Sequence, residues 1–442
     1  MKSMKVRAGA IFVLIMIWLA GLASGQEAPP PLTLEESIRI ALEQNLGLQS
    51  AMEGVKGSQF RTKAAWADFL AKWTGLYSYT WYSDPVSLGV ARVVGFGDVR
   101  GQSQNVFNFN TVLNQPLFAG GAISANYRLE KLGVDISKTT VESIQRDVVL
   151  AAREGYFTIL RAEKFVDVGR QAVKQFEAQL EVSKAFFDVG IVAKNDVLQA
   201  EVRLANAQQA MVVAETNLAQ AKSTFNILLR RKVDAPLTVV DILAYKPFPL
   251  PFEASLDEAL RLRPEIRSAD LTIGQTQEAV KIARSELYPT ISLAGNYNRL
   301  SDQATLSGDL WEDRWTIQGV ATFTLFDWGK TLNRVSESKV RVTQAEIAKG
   351  QLIDSITFEV KQDYLNLLQA EKNVGTSEKS IEQAEENLRM NEERYKYQVA
   401  TQTDVLDAVV LLAQARVNYY GALSDFNVAQ ARLERAMGRM YP

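Results

Sequence analysis

Two acids stand at the head of a long apolar helical run: Asp404 and Asp407, in VATQTDVLDAVVLLAQA at 399–415. At a spacing of three, both carboxylates leave a helix on the same side. Such a pair gathers cations when several copies converge on a narrow opening. It is equally the ordinary acidic start of a helix, where negative charge meets the helix dipole. The segment IVAKNDVLQAEVRLANA at 191–207 repeats the pattern at an offset of 404 − 196 = 208. Asp196 matches Asp404, but Gln199 stands where Asp407 would be, so only one acid belongs to a repeat. The rest of the composition narrows the chemistry. The chain has no histidine and no cysteine. That removes thiol nucleophiles, disulfides, Ser-His-Asp triads and Cys/His metal cages. No catalytic residue, cofactor or metal is expected. A net charge of −2 over 442 residues gives no basic field for nucleic acid.

The elements that must position the acids can be read along the chain. The start, MKSMKVRAGAIFVLIMIWLAGLASGQ, has a basic head, a short apolar core and small residues at 23–25. It reads as a signal peptide over 1–25, too short and wrongly flanked for a spanning helix. With no cysteine behind it, no lipid attachment is expected there. The remainder reads as two structural repeats, 26–234 and 255–442, joined by a proline-rich connector at 235–254. The 208 offset pairs PLFAGG at 116–121 with TLFDWG at 324–329, and Tyr156 with Tyr364. Upstream the offset is 218, pairing NLGLQSA at 45–51 with RPEIRSA at 263–269, and Tyr79 with Tyr297. The first half therefore carries a loop ten residues longer, between Tyr79 and Pro116. A repeat of this length is a duplicated unit, not a short-period solenoid.

Each half predicts helix, strand, strand, long helix, returning helix. The first helix is expected over about 34–71, and over about 256–287 in the second half. Strands are expected at 73–81, 106–114 and 315–326 from their period-two alternation. Trp73, Tyr77, Tyr79 and Trp81 share one face, as do Phe107, Phe109 and Leu113 against Asn108, Asn110 and Asn114. Trp315, Ile317 and Phe323 lie opposite Thr316, Gln318 and Thr322. Alternation alone fits either a sheet with one wet face or a membrane barrel, apolar outside and polar inside. In the helices, Val197, Leu204, Met211, Leu218 and Phe225 repeat every seven residues, with Ala200, Ala207, Ala214 and Ala221 between them. Val405, Leu412, Tyr419, Phe426 and Leu433, with Ala408, Ala415, Ala422, Ala429 and Ala436, do the same. Heptads of large and small residues predict coiled-coil hairpins with closely spaced axes.

The ordered set LTLEESIRIALEQN, LFAGG, VGIVAKNDVLQAE, RPEIRSA, SELYPTISLAGNY, LFDWG and VATQTDVLDAV runs from Leu32 through the mature chain. It resembles the TolC-type outer-membrane efflux family. The resemblance implies a mostly α fold with a β membrane portion. Long helical hairpins would form an α-barrel tunnel, and four strands per chain would join a shared trimeric 12-stranded barrel. It implies a homotrimer in the outer membrane of a Gram-negative bacterium, with a large periplasmic portion. The function implied is an exit duct working with a periplasmic adaptor and an inner-membrane pump. Phe107, Phe109, Trp315 and Ile317 would face outer-membrane lipid. The turns at Val189, Gly190 and Ile191, and at Val399, Ala400 and Thr401, would meet the adaptor. Asp404 and Asp407 would form a selectivity ring at the tunnel's periplasmic mouth, and Tyr395 and Asp196 would be tip-closing contacts. Two positions depart from the family pattern. Ala71 stands where the second half has Pro289, and Ala400 stands where some relatives hold the closed tip with arginine. The alternative to a duct is a periplasmic coiled-coil adaptor or scaffold.

Overall fold

A computed structural model describes residues 30–83, 104–304 and 312–440. The signal peptide expected over 1–25 lies outside the described residues. The two halves carry matching elements. The first half contains α1 (Leu34–Gln44), α2 (Leu46–Ala67), β1 (Lys72–Trp81), β2 (Asn105–Ala119), α3 (Ala122–Asp188) and α4 (Lys194–Leu228). The second contains α5 (Phe252–Leu262), α6 (Pro264–Ser285), β3 (Thr290–Ser301), β4 (Glu312–Thr322), α7 (Lys330–Lys396) and α8 (Gln402–Ala436). The helices α3 and α7 are 67 residues each, and α4 and α8 are 35 each. At 1.5 Å per residue the longer pair run about 100 Å. None of the described helices is long and apolar enough to cross a membrane.

The single first helix expected in each half is two helices, broken at positions related by 263 − 45 = 218. Each break has its own chemistry. Asn45 leaves the helical region at ψ 119° and its Oδ1 accepts from the Leu48 amide at 2.9 Å, so it caps α2. Arg263 sits at ψ 124° because it precedes Pro264, whose ring disfavours the helical conformation in the residue before it. Helical periodicity continues through both breaks, which is why the pattern alone reads as one helix.

The chain forms two compact units. In one, built from the described residues of Met1–Gln49, Ile144–Leu262 and Ile356–Pro442, the core gathers Leu34, Ile38, Ala152, Tyr156, Phe225 and Leu237. Tyr156 is fully buried, and burial pushes its hydroxyl up to about 12. That hydroxyl lies 3.0 Å from the Leu32 carbonyl and 2.7 Å from the Val240 carbonyl. It thereby fastens the short parallel bridge between Leu32 and Val239 to α3. The heptad residues Val405, Ala408, Leu412, Ala415, Phe426, Leu433 and Ala436 of α8 are all buried, as the seam pattern predicts.

The other unit, Ser50–Ser143 with Arg263–Ser355, holds an antiparallel sheet in the order β1-β2-β3-β4. Tyr79 pairs with Phe107, Tyr77 with Phe109 and Trp73 with Leu113. Leu113 pairs with Gly295, and Gly295 with Ile317. One face of the sheet thus carries aromatic and apolar residues on all four strands, interrupted on β3 where Arg299 pairs with Phe109 and Ser301 with Phe107, and Tyr79 stacks on Phe107 at 4.7 Å. The opposite face carries Asn108, Asn110, Asn298 and Gln318 in register, with Asn298 donating to Asn108 Oδ1 at 2.9 Å. β1 begins at Lys72 and β3 at the equivalent Thr290, so Ala71 admits the strand at the same place as Pro289. The last strand ends at Thr322, short of the expected 326. Asp327 then caps the start of α7. Its carboxylate accepts from the Gly329 and Thr331 amides at 3.0 and 2.8 Å, and these bonds with the Thr331 hydroxyl hold it below the usual carboxylate range.

The left-handed residues repeat with the fold. Gly190, Gln398, Arg230 and Gly438 have φ of 78°, 60°, 57° and 75°. Each closes a long helix by the same pair of backbone bonds. Ile191 donates to the Phe186 carbonyl and Gly190 to that of Phe187, at 2.8 and 2.9 Å; Val399 and Gln398 do the same onto Arg394 and Tyr395, at 2.9 and 3.0 Å. This is the Schellman closure, which wants glycine at its left-handed position. The positions are related by 398 − 190 = 208 and 438 − 230 = 208, yet in each pair only one residue is glycine. A side chain there costs about 1–2 kcal/mol. Gln398→Gly is expected to stabilise the protein by about 0.5–1 kcal/mol and Gly190→Gln to destabilise it by at least as much. Thermal melting of the detergent-solubilised protein checks both. Equal midpoints for both variants and wild type would mean that the left-handed closure carries no strain.

Candidate functional site

The ends of the long hairpins bring most of the singled-out residues together. α4 and α8 run side by side here. Thr403 donates to Gln199 at 3.2 Å, and one turn on Arg203 Nη2 lies 2.7 Å from Asp407 Oδ1. Asp404 is the third residue of α8 and completes a capping box with Thr401. Its Oδ2 accepts from the Thr401 amide at 2.8 Å and the Thr401 hydroxyl at 2.7 Å, while the Asp404 amide donates back to Thr401 Oγ1 at 3.3 Å. Those bonds hold the Asp404 carboxyl below the usual range, with Arg394 nearby adding to the effect. Both acids are exposed, and the bonds described engage a single oxygen of each.

Tyr395 and Asp196 are linked through a third residue, and on the Asp196 side only through its backbone carbonyl. The Tyr395 hydroxyl donates to Gln402 Oε1 at 3.2 Å, and Gln402 Nε2 donates to the Asp196 carbonyl at 2.9 Å. Burial pushes the Tyr395 hydroxyl up, opposed by its bond to Ser183 and reinforced by Asp196. Tyr395 packs against Phe186 at 5.6 Å between ring centroids, within a cluster that includes Phe176, Leu388, Val405 and Leu406. Gln402 is 3% exposed, and its type and position give no hint of that in the sequence. Its counterpart at offset 208 is Lys194, a different chemistry. Arg203 was equally hidden, because it faces Asp407 only once α4 and α8 lie in register.

The two turns expose apolar side chains. Val189 and Ile191 are exposed on the first, Tyr397 and Val399 on the second, and Ala400 is half-buried between Val399 and the cap residue Thr401. In the other unit, the apolar face of the sheet is open as well, with Trp73, Trp81, Trp315 and Ile317 all more than half exposed. Phe107 and Phe109 are half-buried among neighbouring rings.

A duplicated helix–strand–strand–hairpin plan, with a sheet apolar on one face and polar on the other, defines a channel protein that is part barrel and part helical tunnel. The family model described as "Outer membrane efflux protein" matches residues 37–229 and 255–439, so the chain belongs to that family. It is 22% identical to the outer membrane efflux protein BepC of Brucella suis over 99% of this chain and 91% of that one. It is 22% identical to outer membrane protein TolC of Escherichia coli over 78% of this chain and 72% of that one. The solved CmeC outer membrane channel of Campylobacter jejuni superposes with a TM-score of 0.78 at 18% identity, over 92% of this chain and 85% of that one. The protein is an outer-membrane exit duct of a Gram-negative bacterium. Its family is one of channels rather than enzymes, and a match that takes in both halves removes the coiled-coil scaffold alternative.

The network at the hairpin ends ranks its members. Gln402→Ala removes a buried amide bonded on both sides and is expected to cost about 1–3 kcal/mol. Asp407→Asn weakens a pair whose side chains are 41% and 54% exposed, and is expected to cost less than about 1 kcal/mol. The Asp404 cap has a lowered folded value, so its contribution is full above the ordinary 3.8 and is lost as pH falls through the folded value. Thermal melts followed by circular dichroism test the ranking. A Gln402→Ala loss no larger than that of Asp407→Asn would remove Gln402 from the network.

Proposed function

We propose that in the assembled trimer Asp404 and Asp407 form the cation-selective ring at the duct's periplasmic mouth. The turns at Val189, Gly190 and Ile191, and at Val399, Ala400 and Thr401, dock a helical hairpin of a periplasmic adaptor that connects the duct to an inner-membrane pump. The apolar sheet face, with Phe107, Phe109, Trp315 and Ile317, meets outer-membrane lipid. Tyr395 and Asp196, joined through Gln402, hold the tip closed.

The observation that carries the ring is the unshared oxygen. Asp404 uses Oδ2 for its cap and Asp407 uses Oδ1 for Arg203, which leaves each acid a second oxygen for a cation. Three copies of the pair supply six carboxylates, and carboxylate rings at a constriction select cations and bind multivalent ones. Arg203 offsets part of that charge, so Asp404 is the stronger of the two sites. In single-channel recordings the wild-type pore should prefer cations and be blocked by a trivalent cation from the periplasmic side. Asp404→Ala with Asp407→Ala should lose both properties while the trimer persists. Full block in the double variant would reduce the two acids to helix-start residues.

The adaptor reading is supported by the four exposed apolar residues on the turns, Val189, Ile191, Tyr397 and Val399, which a soluble surface gains nothing by displaying. The chain has no native cysteine, so single cysteines placed at Ile191 and Thr401 report cleanly. Both should crosslink to the adaptor in cells. Crosslinks confined to cysteines in the connector at 235–254 would move the docking surface there.

A further inference from the structure

Asp407 and Arg203 are both departures from the repeat. At the offset of 208, Asp407 matches Gln199 and Arg203 matches Leu411, so neither charge has a counterpart. The two nonetheless face each other. α4 and α8 lie side by side in the same direction. A step of four residues along each helix passes from the Thr403–Gln199 bond at 3.2 Å to the pair of Arg203 Nη2 and Asp407 Oδ1 at 2.7 Å. Arg203 lines a groove between α3, α4 and α8 with Phe176, Ala207 and Ala413, which gives its aliphatic stem apolar surface to lie on. The paired side chains are 41% and 54% exposed, and an exposed pair contributes little to stability. What it does is fix a positive charge beside one of the two acids.

The neighbouring acid is held differently. Asp404 accepts from the Thr401 amide and hydroxyl at 2.8 and 2.7 Å, and both donors are neutral. Those bonds lead the influences that lower its carboxyl, and the charge of Arg394 comes last among them. Asp404 therefore keeps its charge. Asp407 with its arginine amounts to a dipole, whose field falls off faster with distance than that of a lone charge.

We propose that Arg203 is a tethered counter-ion that sets the duct's preference for cations: it cancels Asp407 and leaves a passing cation the Asp404 carboxylates alone. This rests on the reading of both acids as a ring at the periplasmic mouth. Three copies bring six carboxylates to that ring and three guanidiniums with them. A multivalent cation must compete with Arg203 for Asp407, but meets no such competitor at Asp404. A ring tempered in this way attracts cations yet holds them weakly enough to let them leave. A bridge that only joined two helices would respond alike to the loss of either member. A counter-ion responds in opposite directions.

That difference is the test. Wild-type trimers are compared in planar bilayers with Arg203→Met, Arg203→Lys, Asp407→Asn, Asp404→Ala, and Arg203→Met combined with Asp407→Asn. The reversal potential in a potassium chloride gradient reads the cation preference. Hexaamminecobalt(III), a trivalent cation that keeps its own ligands, reads block from the periplasmic side. Arg203→Met should raise the preference and tighten block several-fold, and Arg203→Gln takes its place where the methionine variant does not assemble. Asp407→Asn should do the opposite, because it leaves Arg203 uncompensated. The combined variant should return close to wild type, and Arg203→Lys should match wild type. If Asp404→Ala loses block while Arg203→Met leaves both readings unchanged, Arg203 is only a bridge between helices and the ring stands. The same holds if Arg203→Met and Asp407→Asn shift the readings in one direction. If neither Asp404→Ala nor Asp407→Asn alters preference or block, the ring falls and the counter-ion with it.

Discussion

An outer-membrane duct cannot leave backbone hydrogen-bonding groups unpaired in hydrocarbon, and this constraint organises the molecule. One chain supplies a sheet in the order β1-β2-β3-β4, with β1 and β4 as edges. Within lipid those edges must close on further copies, since an open edge cannot be hydrated there. The trimer is therefore a condition for the membrane portion to exist. The duplicated plan serves that condition, because each repeat contributes one strand pair and one hairpin. The central β2–β3 seam, where the repeats meet, runs from Phe107–Ser301 to Ala119–Thr290, with a register shift between Pro116 and Phe118.

Much of this was legible in the sequence, and the failures have physical causes. The strand faces followed from period two, and the aromatic residues assigned to one face are found there except Phe323, which lies past the end of β4. The buried seam of α8 followed from its heptads. The breaks at Asn45 and Arg263 were missed because a kink does not interrupt helical periodicity, although Pro264 was a visible warning. The strand ending at Thr322 was drawn too long because Phe323 and Leu325 continue the alternation past the last ladder bond. At the hairpin ends, the acids and Tyr395 could be singled out by type, but the residues that connect them could not. Gln402 is a polar residue buried by a tertiary contact, and Arg203 matters only through a register between helices about 200 residues apart in the chain. Local pattern carries neither fact.

The repeats have drifted where geometry allowed and stayed put where it did not. The kinks at Asn45 and Arg263 fall at equivalent places by different means, a side-chain cap in one and a proline ring in the other. The four helix closures keep the same backbone bonds although two have lost their glycine. By contrast, the tyrosine pair at Tyr156 and Tyr364 keeps its type, yet only Tyr156 grips the bridge between Leu32 and Val239, while Tyr364 packs on Phe252. Asp407 and Arg203 go further, as a charge pair with no equivalent in the other half.

The Tyr156 grip also orders events in time. Its bonded partners are the early residue Leu32 and the connector residue Val240, and Arg146, ten residues earlier on α3, is bonded to the carbonyl of Gly438. A polypeptide threaded across the inner membrane from its N-terminus presents Leu32 long before either partner. The first exported stretch must therefore wait, unpaired, until Val240 has emerged, and the contact to Arg146 stays unmade until Gly438 arrives. Contacts so distant in sequence make folding slow. That delay belongs to the unit built around Tyr156, which cannot close until both the connector and the residues closing α8 have emerged.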